Sequence, residues 1–114
     1  MVLPDRRVPR GIDDSKKLPA TERARLCGRL KDCAVVGIGI VEADEIDSLN
    51  IYWATMKAMT LAVDQVAATL GCAPGHVLVD GNRLPRWSYP ATAIVGGDAA
   101  SLSIAAASIV AKHA

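Results

Sequence analysis

Val77, Leu78 and Val79 form a short apolar run that ends in Asp80, Gly81 and Asn82. That is the pattern of a buried strand delivering its last side chain to a sheet edge. Open α/β sheets gather their ligands beyond the C-terminal ends of their strands, so a carboxylate at that place could hold a hard divalent cation. The competing reading is an Asp that opens a turn before glycine, and the local pattern leaves both standing. Asp13 and Asp14, followed by Ser15, Lys16 and Lys17, suggest a second cation site, but adjacent charges in a loop before a helix serve equally as solvated or capping groups. Asp44, Glu45 and Asp47 gather where a helix should start. The helix dipole and free amides favour negative charge there, so capping explains them without chemistry.

His76 and His113 share no ligand-like spacing and are assigned no role. Trp53 falls in an apolar stripe and is read as core. Trp87 stands beside Arg83, Arg86 and Tyr89, a grouping open to stacking on nucleic-acid bases. Gly96 and Gly97 are not followed by Gly-Lys-Ser/Thr, which argues against a nucleotide-binding P-loop. Cys27, Cys33 and Cys72 are odd in number and lack the close pairing of a zinc site; a reduced, cytoplasmic compartment is expected.

The elements that must carry these residues follow from periodicity. Residues 6 to 17 read as an exposed loop. From Pro19 to about Lys31, Leu26 and Leu30 sit four apart on one face of a short amphipathic helix. Residues 34 to 41 are rich in Val and Ile and punctuated by Gly37 and Gly39, which predicts a strand that packs closely. Asp44 should cap a long helix whose stripe runs through Ile46, Leu49, Trp53, Met56, Val63 and Leu70 until Gly71 closes it. Short strands are expected at 77–80 and at Thr92 to Val95, and an Ala- and Ser-rich helix from Asp98 to Ala114. Strands alternating with helices define an α/β fold, and 114 residues allow one domain.

Charge is unevenly spread: residues 1–31 hold nine of the 13 Lys and Arg against four of the 12 acids. That basic end suits a phosphate backbone or a solvated helix. Phe is absent, so small aliphatic residues must fill the core. No run of about 18 apolar residues occurs and no signal-peptide stretch is evident, so a soluble protein without a membrane partner is expected.

Four ordered blocks resemble ribonuclease HII: Gly11-Ile12-Asp13-Asp14-Ser15-Lys16-Lys17-Leu18; Ile46-Asp47 with Asn50-Ile51; Val79-Asp80-Gly81-Asn82-Arg83; and Gly97-Asp98 through the run from Ser103 to Lys112. The resemblance covers nearly the whole chain. It implies a partial ribonuclease H-like fold, a mixed sheet with flanking helices, over one incomplete catalytic domain, 1–114. The implied activity is endonucleolytic: cutting the RNA strand of RNA/DNA hybrids and nicking DNA at embedded ribonucleotides, by two-metal hydrolysis with Mn²⁺ or Mg²⁺.

The family's metal-holding acids are an Asp-Glu pair near its N-terminus, one residue that matches Asp80, and one beyond the terminal Ala-Lys stretch. The pair, its Gly-Arg-Gly loop and the central strand have no counterpart upstream of Asp14, and the last acid would lie past Ala114. Val2 and Leu3 match the remains of the second strand. Asp80 is thereby expected to be the metal-ligating and catalytic residue. Ser15, Lys16 and Asn82 match stretches near the nucleic acid. One carboxylate cannot hold two such ions, so the chain is expected to be inactive alone and to aggregate through exposed strand edges, whereas the full-length enzyme is expected to be a monomer. The alternative is a non-catalytic nucleic-acid-binding remnant that keeps the basic loop.

Overall fold

Leu26, Cys27 and Leu30 lie on one face of α1 (Ala20–Cys33) and are fully buried, while Arg25 and Arg29 point to solvent. The computed structural model describes residues 1–4, 9–13 and 15–113, and excludes the side chains of Ser15, Asp98 and His113. Pro19 occupies the N-cap of α1, where its missing N–H costs nothing. The Arg23 guanidinium donates to the Leu18 carbonyl at 2.8 Å and ties the entering chain to the first turn. The buried face meets Ala106, Ile109 and Val110 of α4 (Leu102–His113), and Met1, Leu3, Ile12, Leu18 and Val36 close the edges of this core. Small residues on α4 allow the close approach expected of them. They serve α1 more than the sheet, although α4 also touches β1.

Val77–Asp80 (β1) and Ala91–Ile94 (β2) pair in parallel, with Val77 opposite Ala91 and Asp80 opposite Ile94. The second strand ends one residue earlier than expected, and Val95 is left 79% exposed. Parallel strands are ordinarily joined through a helix; here the irregular segment 81–90 makes the return. Helices flank this two-stranded sheet, giving the α/β class and the partial character expected.

The segment 34–41 is a correction to the sequence reading: it is not a strand. Val35 makes a single antiparallel bridge to Val2, with N···O distances of 2.8 and 2.9 Å in the two directions. Beyond Val35 the chain leaves any ladder and lies on α2 (Ala43–Leu70). The glycines explain the choice. A Cβ at Gly37 would collide with the Ala62 carbonyl and come within 2.7 Å of Val66 Cγ2, and one at Gly39 would collide with the Ala58 carbonyl. Backbone therefore packs on helix, and the Ile38 amide, which a strand would have paired, donates to Gln65 Oε1 at 2.7 Å.

The long helix forms and ends at Gly71 (φ 78°) as expected, but it is broken at Asn50 (φ 64°, ψ 167°). The Asn50 side-chain oxygen accepts the amides of Tyr52 and Trp53 at 3.0 and 3.3 Å, the geometry of an N-cap opening a second helix. Glu42, not Asp44, stands at the first N-cap; Asp44 and Glu45 lie in the first turn. The break changes the phase of the apolar stripe, and Trp53, read as core, is 45% exposed. The Ala-rich terminal helix is likewise divided. Ser101 (φ −129°, ψ 126°) separates α3 (Gly97–Ala100) from α4, and its hydroxyl accepts the Ile104 amide at 3.3 Å. A serine that offers the backbone a side-chain acceptor favours a cap over a continuous helix. Among the described residues, no helix is long and apolar enough to cross a membrane.

Candidate active site at the strand tips

Asp80 is the last residue of β1, and its exposed side chain turns toward the loop that follows β2. Its Oδ1 accepts the Gly97 amide at 3.0 Å, and the adjacent Gly81 amide donates to the Ile94 carbonyl, also at 3.0 Å. These two bonds fasten the C-terminal tips of both strands together with the carboxylate between them. The arrangement needs glycine twice over. Gly81 (φ 131°) and Gly96 (φ 66°) adopt backbone angles that L side chains rarely reach, and Gly97 is buried against Ile104. Gly96 and Gly97 thus have a use that a search for phosphate loops does not suggest. The signal was a paired glycine directly after a second short strand.

Asn82 is exposed two residues beyond Asp80 on the same tip. Ser15 and Lys16 lie in a short 3-10 turn, Ser15–Lys17, that packs on α4, the helix that also touches β1. Lys16 is exposed; Asp14 and the Ser15 side chain lie outside the described residues, as does that of His113. His76 sits at the opposite end of the strands and shares a 2.7 Å hydrogen bond with the Thr92 hydroxyl, a structural tie that needs no catalytic reading. Trp87 stacks edge-on against Tyr89 at 5.4 Å.

The donor set decides what this tip can hold. Mg²⁺ and Mn²⁺ prefer several oxygen ligands in octahedral order. Among the described residues, no group of three or more His, Cys, Asp or Glu converges anywhere, at Asp80 or elsewhere. One oriented carboxylate can contribute a ligand to a hydrated cation, but it does not make a two-ion centre.

Asp80 stands at the C-terminal ends of the paired strands, the place where open α/β sheets gather their ligands. The chain belongs to the ribonuclease HII family: the family model described as Ribonuclease HII matches residues 6–114. Ribonuclease HII of Rhizorhabdus wittichii is 58% identical over 113 residues, covering 99% of this chain and 54% of the relative. Those of Erythrobacter litoralis and Parvibaculum lavamentivorans are 50% and 53% identical over 92% and 93% of the chain, and 52% and 38% of their own lengths. The chain spans about half the length of most of the curated relatives it matches.

Proposed function

We propose that residues 1–114 form the central, incomplete part of a cytoplasmic, monomeric endonuclease that cleaves the RNA strand of RNA/DNA hybrids and nicks DNA at embedded ribonucleotides. Asp80 is its metal-ligating and catalytic carboxylate. The observation that carries this reading is the hydrogen bond from Gly97 to Asp80, which holds the carboxylate at the strand tips in a chain of the ribonuclease HII family. Ser15, Lys16 and Asn82 are assigned to the nucleic-acid backbone.

Mn²⁺ or Mg²⁺ is the cofactor class, with Asp80 as one of its ligands. Since the described residues do not complete a two-ion centre, no ribonucleotide-dependent nicking of a labelled duplex is expected from this chain with Mn²⁺. Binding of the ion is a separate question. Mn²⁺ titration followed by amide NMR should broaden Gly81, Gly96 and Gly97 first, and Asp80→Asn should abolish that selectivity. Broadening that ignores Asp80→Asn removes the residue from the metal site, and cleavage by the pure chain overturns the inactivity.

A further inference from the structure

Arg83 and Arg86 leave the strand tip on the segment 81–90 and cross to the exposed face of α2. There the Arg83 guanidinium lies 5.9 Å from the centre of the Tyr52 ring, and that of Arg86 lies 5.8 Å from the Trp53 ring. The two rings themselves meet edge to face at 5.0 Å. We propose that Arg83 and Arg86, each held by an aromatic face, grip the phosphodiester backbone of the substrate duplex beside Asp80. Tyr52 and Trp53 are positioning residues in this arrangement. The inference rests on the nucleic-acid reading above and adds a contact surface to it.

Several observations converge on that use. The segment is fixed rather than loose: Pro85 is buried, and the Tyr89 hydroxyl donates to Asp64 Oδ1 at 2.6 Å. With Tyr52, Trp53 and Met56, the two arginines line an open cleft of about 470 Å³. Arg25 and Lys57 direct their charge onto Glu22 and Glu45. Among the described residues, neither Arg83 nor Arg86 pairs with a carboxylate. These two are half of the four Lys and Arg that follow residue 31, a stretch with eight acids, so their pairing in one cleft is not a by-product of a generally basic surface.

Geometry favours a duplex backbone as the occupant. Two residues, Gly81 and Asn82, separate Arg83 from Asp80, so their Cα atoms are within ~11 Å. That corresponds to roughly three base-pair rises along the duplex axis. A strand whose reacting phosphate lies at Asp80 can reach this cleft within that span. Paired bases offer no free face to Tyr52 or Trp53, whereas planar guanidiniums match phosphate oxygens in bidentate fashion.

The test is fluorescence anisotropy of the 114-residue chain with a labelled RNA/DNA hybrid in EDTA, across a NaCl series, so that Asp80 and its ion play no part. Arg83→Gln with Arg86→Gln should reduce the slope of log K against log salt by about 1.8, close to 0.9 for each phosphate no longer neutralised. Arg83→Lys with Arg86→Lys should keep the slope and lower affinity several-fold. Tyr52→Leu with Trp53→Leu should weaken hybrid binding several-fold. All six substitutions fall at exposed positions, and circular dichroism checks that the helices persist. An unchanged slope in the Gln pair overturns this proposal while leaving the nucleic-acid reading intact. So do ring variants that lose single-strand binding but keep hybrid binding. Absence of any hybrid binding by the unaltered chain sinks both.

Discussion

The Gly97 amide donates to the Asp80 carboxylate at 3.0 Å, and a Cβ at Gly97 would stand 2.6 Å from Ile104 Cδ1 and 3.4 Å from Asp80 Oδ1. Gly97→Ala should therefore destabilise the chain by about 1 kcal/mol, the low end of overpacking, because the atom it meets is the terminal methyl of Ile104. It should also blunt the Mn²⁺ broadening at Gly81. Urea titration and the same NMR experiment read the two effects. A different residue sets a pH limit on the arginine-bearing segment. Tyr89 donates to Asp64, and that hydrogen bond, then desolvation, then the Asp64 charge, raise the phenol above its usual value of 10.0. A group whose folded pKa is raised stabilises the fold fully below its unfolded pKa and ceases to do so as pH rises through the folded one. The tie from 81–90 to α2 should accordingly hold at neutral pH and release only in alkali above about pH 10. The combined fluorescence of Trp53 and Trp87 in the wild type, compared with Tyr89→Phe across that range, reports it; an identical alkaline change in both proteins would show that the tie does not control the segment.

Among the elements, the contrast between two glycines is instructive. Gly28 lies within α1 with open space to 4 Å around the place a Cβ would occupy, whereas Gly39 faces the backbone of α2. Gly28→Ala should stabilise by about 0.4–1 kcal/mol, since alanine restricts the unfolded chain and suits a helix. Gly39→Ala should cost about 1–3 kcal/mol or more by lifting 36–41 off Ala58 and Ala62. A shared direction of change in the urea midpoint would contradict the packing of that segment on α2. Helices α1 and α2 were legible in the sequence because periodicity and caps are local properties. The breaks at Asn50 and Ser101 were not, although both residues carry the short polar side chains that open a helix. Their caps compete with continuation by only a fraction of a kcal/mol to about 2 kcal/mol, a margin that periodicity does not resolve.

At the scale of the whole molecule, the core is small and its surroundings are apolar. Leu26, Leu30 and Ile109 are fully buried, while Ile40, Ile51 and Val95 are 69%, 68% and 79% exposed. Among the described residues both strands belong to a sheet of two, and an isolated pair of strands leaves unpaired amides and carbonyls on its outer edges. The isolated chain should be marginal and prone to associate through these edges as its concentration rises. Sedimentation velocity checks this, and a monodisperse monomer with cooperative thermal unfolding would count against it.

Much of the chain's character was already written in order and type along the sequence: the α/β alternation, the helix faces, the parallel-strand apolar run ending in Asp80, and the four blocks of the ribonuclease HII family. Those features depend on neighbours within a turn or two. Tertiary structure alone decided that 36–41 lies on a helix instead of in a sheet, that Trp53 faces outward beside Arg86, and that Gly97 delivers its amide to Asp80 from 17 residues away. Each of those outcomes is a choice between distant partners for the same backbone group or apolar face. Residue type states only that such a partner is needed; which one is found depends on the three-dimensional packing of the rest.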